Sequence, residues 1–189
     1  MIFFHFRCYI KTLKANGKHV AVTATTGLAS QQFLDLGGVT LHHWAGMMDG
    51  RFAKEELLEN LLYNDGYHRA LDRIKKTDVL FIDEVSMMSA KTFECLEFVC
   101  RMIKNAEIQF GGLQVVASGD FKQLPPVPDH FHGDPGLFCF ESPAFNRIFP
   151  HHIQLTQVER QEEPDLILAI NELCEGKPSE STHTLMSLL

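Results

Sequence analysis

The chain has 189 residues, of which 45% are hydrophobic and 22% charged. That leaves room for one compact domain and little more, and it excludes disordered, collagen-like and coiled-coil classes. The formal charge of −7, from 24 acidic and 17 basic residues, argues against a surface coated uniformly for nucleic acid. The excess is local. Residues 1–127 carry 14 side chains of each sign and residues 128–189 carry 10 acidic against 3 basic, while the first 18 hold Arg7, Lys11, Lys14 and Lys18 and no acid.

Along the chain, Met1-Ile2-Phe3-Phe4 begins like a signal sequence, but His5, Arg7 and Lys11 interrupt it and no small-residue cleavage site follows. Residues 3–15 read as a helix. No run approaches the roughly 20 apolar residues of a membrane span, so no membrane partner is expected. The five cysteines, at 8, 95, 100, 139 and 174, are never spaced as C-x-x-C, which points to a reducing compartment with neither a disulfide framework nor a zinc ribbon.

A first strand is expected at His19–Thr25, with Thr25, Thr26 and Gly27 opening a helix behind it. Residues 52–63 read as a helix on Phe52, Leu58, Leu61 and Leu62. Asp78–Ile82 and Leu113–Ser118 are nearly continuous apolar runs, as in strands covered on both faces of a parallel sheet. Between them, residues 89–105 place Phe93, Leu96, Cys100 and Ile103 on one helical stripe behind a Ser89 cap. Residues 125–150, rich in Pro, Gly, His and Phe, read as an irregular connection. A further strand at His152–Thr156 and a helix over 164–175 on Leu166, Ile170 and Leu173 close the series. Strands alternating with helices predict an α/β fold with a largely parallel sheet.

Chemistry concentrates where strands end. Asp83 and Glu84 follow the run Val79-Leu80-Phe81-Ile82, and a buried strand ending in two acids places both at the carboxyl edge of the sheet, where α/β proteins bind ligands. In phosphate-handling ATPases the Asp holds Mg²⁺ and the Glu orients or deprotonates water. The turn Gly119-Asp120-Phe121-Lys122-Gln123 also follows a buried strand, and two prolines behind it stiffen it. Gln123 is an amide able to donate to phosphate and accept from water. Near the first strand, backbone N–H groups and hydroxyls at Thr25, Thr26 and Gly27 can hold an anion. His42, His43 and Trp44 add donors and either a stacking face for bases or a core aromatic. Metal binding by the His pair is disfavoured, because no Cys or Asp stands at a ligand spacing.

In chain order, VAVTATTGLAS, GGVTLHHWAG, FIDEVSMMSA, ASGDFKQLPPV and LTQVERQ resemble motif Ia, the segment after it and motifs II, III and IV of the petite integration frequency (Pif-type) family of superfamily 1 DNA helicases. DFKQLPP and DEVSMM are the least generic pieces, and the resemblance covers nearly the whole chain. It implies a RecA-like P-loop NTPase domain over residues 1–150 (motifs Ia, II and III), with residues 151–189 starting a second motor domain at motif IV. On matching positions it implies that Asp83 holds Mg²⁺, Glu84 activates water, Gln123 senses the γ-phosphate of ATP and Arg160 is an arginine finger. It also implies that Thr25, Thr26, Gly27, His42 and Trp44 touch single-stranded DNA.

The implied protein is an ATP-dependent 5′-to-3′ DNA helicase of repair, recombination and telomere maintenance. It would act as a monomer on single strands and junctions in the nucleus, with a mitochondrial site equally open. These 189 residues contain no G-x-x-x-x-G-K-S/T loop. At Gly17-Lys18 the next residue is His19, Thr12 stands where the first Gly belongs, and the pair precedes a strand. The P-loop is therefore expected to belong before residues 3–15, motifs V and VI beyond Leu189, and the chain by itself is expected to have little or no ATPase activity. A catalytically dead remnant that binds single-stranded DNA, or a fragment that contacts partner proteins, are the alternatives.

Overall fold

The computed structural model describes residues 2–155 and 163–188. It divides into two compact units, Arg7–His151 and a second made of Met1–Phe6 with His152–Leu189. In the larger unit, four strands form one sheet in the order β2-β1-β3-β4: β1 (Val20–Ala24), β2 (Val39–Thr40), β3 (Val79–Asp83) and β4 (Gln114–Ala117). All pairings are parallel, with Ala24 beside Thr40 and Asp83, and Ile82 beside Ala117. This is the α/β arrangement expected from the apolar runs.

Residues 79–82 of β3 are 0–2% exposed, so both faces of the sheet must be covered. Successive side chains alternate faces. Leu80 and Ile82 join the main core, built with α3 (Leu41–Ala45), α4 (Lys54–Tyr63), α5 (His68–Lys76) and α6 (Ala90–Lys104). On the other face, the Phe81 ring meets Tyr9 of α1 (Ile2–Ala15) edge-on, at 5.8 Å between centroids.

The α6 helix follows its sequence closely. Ser89 caps it by accepting the Thr92 N–H at 3.1 Å, and Phe93, Leu96 and Cys100 are fully buried while Ile103 packs at the edge. α4 begins at Lys54, two residues later than expected, and its buried positions are Leu57 and Leu61, one turn apart on the face packed against α5 and α6, while Leu58 is half-buried and Leu62 exposed. The connection 125–150 is irregular but anchored. The Ser89 hydroxyl donates to Asp134 at 2.5 Å, Ala90 N–H donates to the Leu137 carbonyl at 2.9 Å, and Cys139 is fully buried. It ends in a short helix, α7 (Phe145–Ile148), whose Phe145 packs on Phe93.

Residues 151–155 form no strand, contrary to the sequence pattern, and Ile153 is 89% exposed. An alternating run becomes a strand only beside a partner, and among the described residues none pairs with it. In the smaller unit, α8 (Pro164–Cys174) starts at the expected proline, and α9 (Glu180–Met186) follows after the Gly176-Lys177 turn. In α8 the buried residue is Ala169, whereas Ile170 and Leu173 are exposed; in α9 it is Thr182. Glu172 joins the two helices by accepting from the Ser179 N–H and the Thr182 hydroxyl.

All five cysteines are free thiols. Burial pushes Cys95 up to about 11 and Cys139 up to about 12, and raises Cys100 as well. Thiolate is the alkylating nucleophile. Iodoacetamide at mildly alkaline pH should therefore label the exposed Cys8 and Cys174 first and the other three only on unfolding, as peptide mass mapping would show.

Candidate active site

The carboxyl ends of β1, β3 and β4 lie side by side and are stitched together by the residues that follow them. Thr25 donates its N–H to the Asp83 carbonyl at 3.1 Å and its hydroxyl to the Glu84 carbonyl at 2.8 Å. Ser118 donates its N–H to Ile82 at 2.9 Å, and Val85 donates back to the Ser118 carbonyl at 2.8 Å. The Ser118 hydroxyl donates to Asp83 Oδ1 in a short bond. Asp83 Oδ2 has no hydrogen-bond partner among the described residues.

Glu84 has φ 56° and ψ 42°, the left-handed region that a non-glycine residue occupies at a cost of roughly 1–3 kcal/mol. The strain persists because bonds on both sides over-determine it. Behind this turn, a Cβ on Gly119 would lie 2.9 Å from both the Val85 and the Ser86 amide nitrogens. Only glycine lets the β4 loop press this closely on the acidic turn. The Ser86 hydroxyl is fully buried there without a hydrogen-bond partner among the described residues.

Gln123 is exposed on the next turn. Asp120 builds that turn: its carboxylate accepts the Lys122 N–H at 2.9 Å and the Gln123 amide at 3.1 Å, and its carbonyl accepts the Gln123 N–H at 2.9 Å. The proline pair is thus not the only stiffener. Sequence reasoning passed over Ser118 and Asp120, although an Asp at the head of a Gly-Asp-x-x turn is a local signal for such a brace. Arg160 lies outside the described residues.

On the β1–β2 side, the Thr26 hydroxyl accepts the Ala29 N–H at 3.2 Å and so caps α2 (Gly27–Gln31), as the Thr-Thr-Gly sequence suggests, with Gly27 exposed. Thr40 caps α3 in the same way through the His43 N–H. His42 is half-buried, and burial pushes its imidazole below its ordinary value, with Asp49 opposing. Trp44 corrects the expectation of a stacking face. It is 3% exposed and packs in the core with Leu41, Leu57 and Leu61, because the α3 turn directs it inward while His43 faces solvent.

The acids suit a hard cation held mostly by water and phosphate. Asp83 offers a half-buried oxygen oriented by Ser118, and no group of three or more His, Cys, Asp or Glu converges among the described residues. Mg²⁺ is typically held through one or two carboxylates plus phosphate and water, not in an all-protein cage, so the residues present fit it. No helix among the described residues is long and apolar enough to cross a membrane.

The chain resembles known proteins over nearly its full length. It is 42% identical over 163 residues to the ATP-dependent DNA helicase PIF1 of Emericella nidulans, covering 86% of this chain and 21% of that protein. The crystal structure of the Candida albicans Pif1 helicase superposes with a TM-score of 0.84 at 35% identity, over 95% of this chain and 39% of that one. Bacteroides Pif1 bound to single-stranded DNA gives 0.77 at 30% identity, over 95% and 42%. The chain therefore spans about a fifth of the curated relative and about two-fifths of the solved chains, and its sheet is the RecA-like one of those structures. Residues 3–172 match the PIF1-like helicase family, and the chain belongs to that family.

Proposed function

We propose that these residues form the water-activating and strand-contacting edge of an ATP-dependent DNA helicase that moves 5′ to 3′. Residues 1–150 would belong to its first motor domain and 151–189 to the start of its second. The observation that carries this reading is the Ser118–Asp83 hydrogen bond beside the strained Glu84 turn. It fixes a carboxylate and a second acid at the sheet edge where a phosphoryl group would sit.

In this reading Asp83 holds Mg²⁺, which when bound neutralises charge on the phosphate oxygens, and Glu84 takes a proton from the attacking water. Gln123, released from Asp120, meets the γ-phosphate. Arg160 adds a guanidinium to the same oxygens, where its planar fork suits phosphoryl geometry. Thr25, Thr26, Gly27 and His42 face the single strand. Work on nuclear DNA in repair, recombination and telomere maintenance, by a monomer acting on single strands and junctions, belongs to the same reading.

The 189-residue polypeptide contains no phosphate-cradling loop of the G-x-x-x-x-G-K-S/T kind, so the reading also states that it turns over ATP at background rate by itself. Phosphate release from the purified chain, with and without single-stranded DNA, checks this. DNA-stimulated release that disappears in Glu84→Gln would show that the site is complete without that loop and overturn this part of the reading.

A further inference from the structure

The turn that carries Gln123 is tied to the rest of the fold by few bonds. Among the described residues, every hydrogen bond of residues 119–125 stays inside the turn. Gly119 abuts the acidic turn at one end and Pro126 is buried at the other, so between them Phe121 is the side chain that reaches a neighbouring segment. Its ring is 37% exposed. It meets Phe140 edge-on at 4.9 Å between centroids and Phe138 edge-on at 5.9 Å, and those two rings stack on each other at 5.0 Å with their planes 11° apart. Edge-on and stacked contacts are both arrangements that aromatic quadrupoles favour.

The stacked pair is itself fastened down. Phe138 N–H donates to the Glu141 carboxylate at 2.7 Å, Glu141 N–H returns to the Phe138 carbonyl at 2.9 Å, and the Ser142 hydroxyl donates to Glu94 of α6 at 2.7 Å. Between the two rings in sequence stands Cys139, fully buried, whose thiol donates to the Val85 carbonyl at 3.6 Å. Burial raises this thiol, so it keeps its proton and remains a donor at neutral pH. Val85 directly follows Glu84, and its N–H is held by Ser118 from the other side. One short turn therefore grips the Glu84 turn through Cys139 and the Gln123 turn through the rings that flank it.

We propose that Phe121 and the Phe138-Cys139-Phe140 turn are positioning residues for phosphoryl chemistry, a bracket that holds the loops of Glu84 and Gln123 at one fixed spacing. The proposal rests on the reading of Glu84 as base and Gln123 as phosphate sensor, and it concerns groups that touch neither water nor nucleotide. With the backbone of its turn clamped by Phe121, Gln123 exchanges Asp120 for phosphate by moving its side chain alone. This accounts for the aromatic rings left 37% and 43% exposed at Phe121 and Phe140. A surface for stacking bases or docking a protein would leave the Gln123 backbone indifferent to their loss.

The test measures the ¹⁵N order parameter of the Gln123 amide in the 189-residue chain. It should stand near about 0.85 in the wild type and fall below about 0.6 in Phe121→Leu and in Phe140→Leu, the values of rigid and flexible backbone. Phe121→Tyr should restore it. Both rings are exposed, so the thermal midpoint and the order parameters of α6 should not change, and Phe131→Leu, at a ring 91% exposed, should leave Gln123 as in the wild type. Behind a phosphate-binding loop, Phe121→Leu should lower DNA-stimulated kcat by up to about 100-fold at unchanged KM for ATP, the effect of a misplacement of about 1 Å. A Gln123 amide that stays rigid in both leucine variants, or a loosened one with kcat at the wild-type value, overturns the bracket and leaves the DNA-motor reading standing. Wild-type phosphate release by Glu84→Gln removes that reading and the positioning role with it, whatever the order parameters show.

Discussion

Replacing Glu84 by Gln is expected to lower DNA-stimulated phosphate release by about 100- to 10,000-fold, the range for loss of a positioned general base. The setting is any polypeptide that carries these residues behind a phosphate-binding loop. Affinity for ATP should be unchanged. Gln has the same size and meets the left-handed backbone at position 84 with the same strain, so the turn made by Thr25 and Ser118 is preserved. What is lost is the capacity to take a proton. Single-turnover phosphate release, set against the affinity of a fluorescent nucleotide, separates the two effects. A rate within about threefold of wild type, well short of that range, would remove Glu84 from the role of base.

Trp44→Ala is expected to destabilise the fold by about 3–5 kcal/mol, as for other buried large-to-small aromatic truncations. For a chain of this size that corresponds to a fall in thermal midpoint of roughly 10 °C. The ring is 3% exposed in the core cluster that also holds Leu41, Leu57 and Leu61, so its removal leaves a cavity behind α3. A base-stacking Trp would behave oppositely, losing single-strand affinity at constant stability. Thermal unfolding followed by circular dichroism decides the matter, and an unchanged midpoint would return Trp44 to the DNA-facing surface.

The parts of this fold legible in the sequence are those whose side chains repeat one environment. β3 is a nearly continuous apolar run because both faces are covered, whereas β4, at the end of the sheet, is only half-buried and reads as a strand from its β-branched residues; α6 shows a cap and a stripe because one face is buried. β2 is two residues long and has no period to read. α5 is not legible in the sequence because His68, Arg69, Asp72, Arg73, Lys75 and Lys76 outnumber its three buried residues, Ala70, Leu71 and Ile74.

Residues 152–155 show the opposite case, since an alternating pattern records a preference but not the partner it requires, and Thr156 lies outside the described residues. At the site, Asp83, Glu84 and Gln123 stood out by residue type. Ser118 and Asp120 act by holding others, and which group a hydroxyl or turn carboxylate holds depends on register, here Ile82 beside Ala117. Trp44 was ambiguous for a related reason: one aromatic within a short helix gives no periodicity to say which way it points.

Gly119 has no side chain and takes part in no chemical step, yet the two amides pressed against it belong to the turn that carries Glu84. A saturation-mutagenesis map of this chain would therefore score position 119 as severely as the acids themselves, and a reader of that map would mark it as catalytic. The intolerance has a mechanical origin. With no slack between the two loops, any shift of the Asp120–Gln123 turn is delivered to the acidic turn without loss, as between two gears cut to mesh.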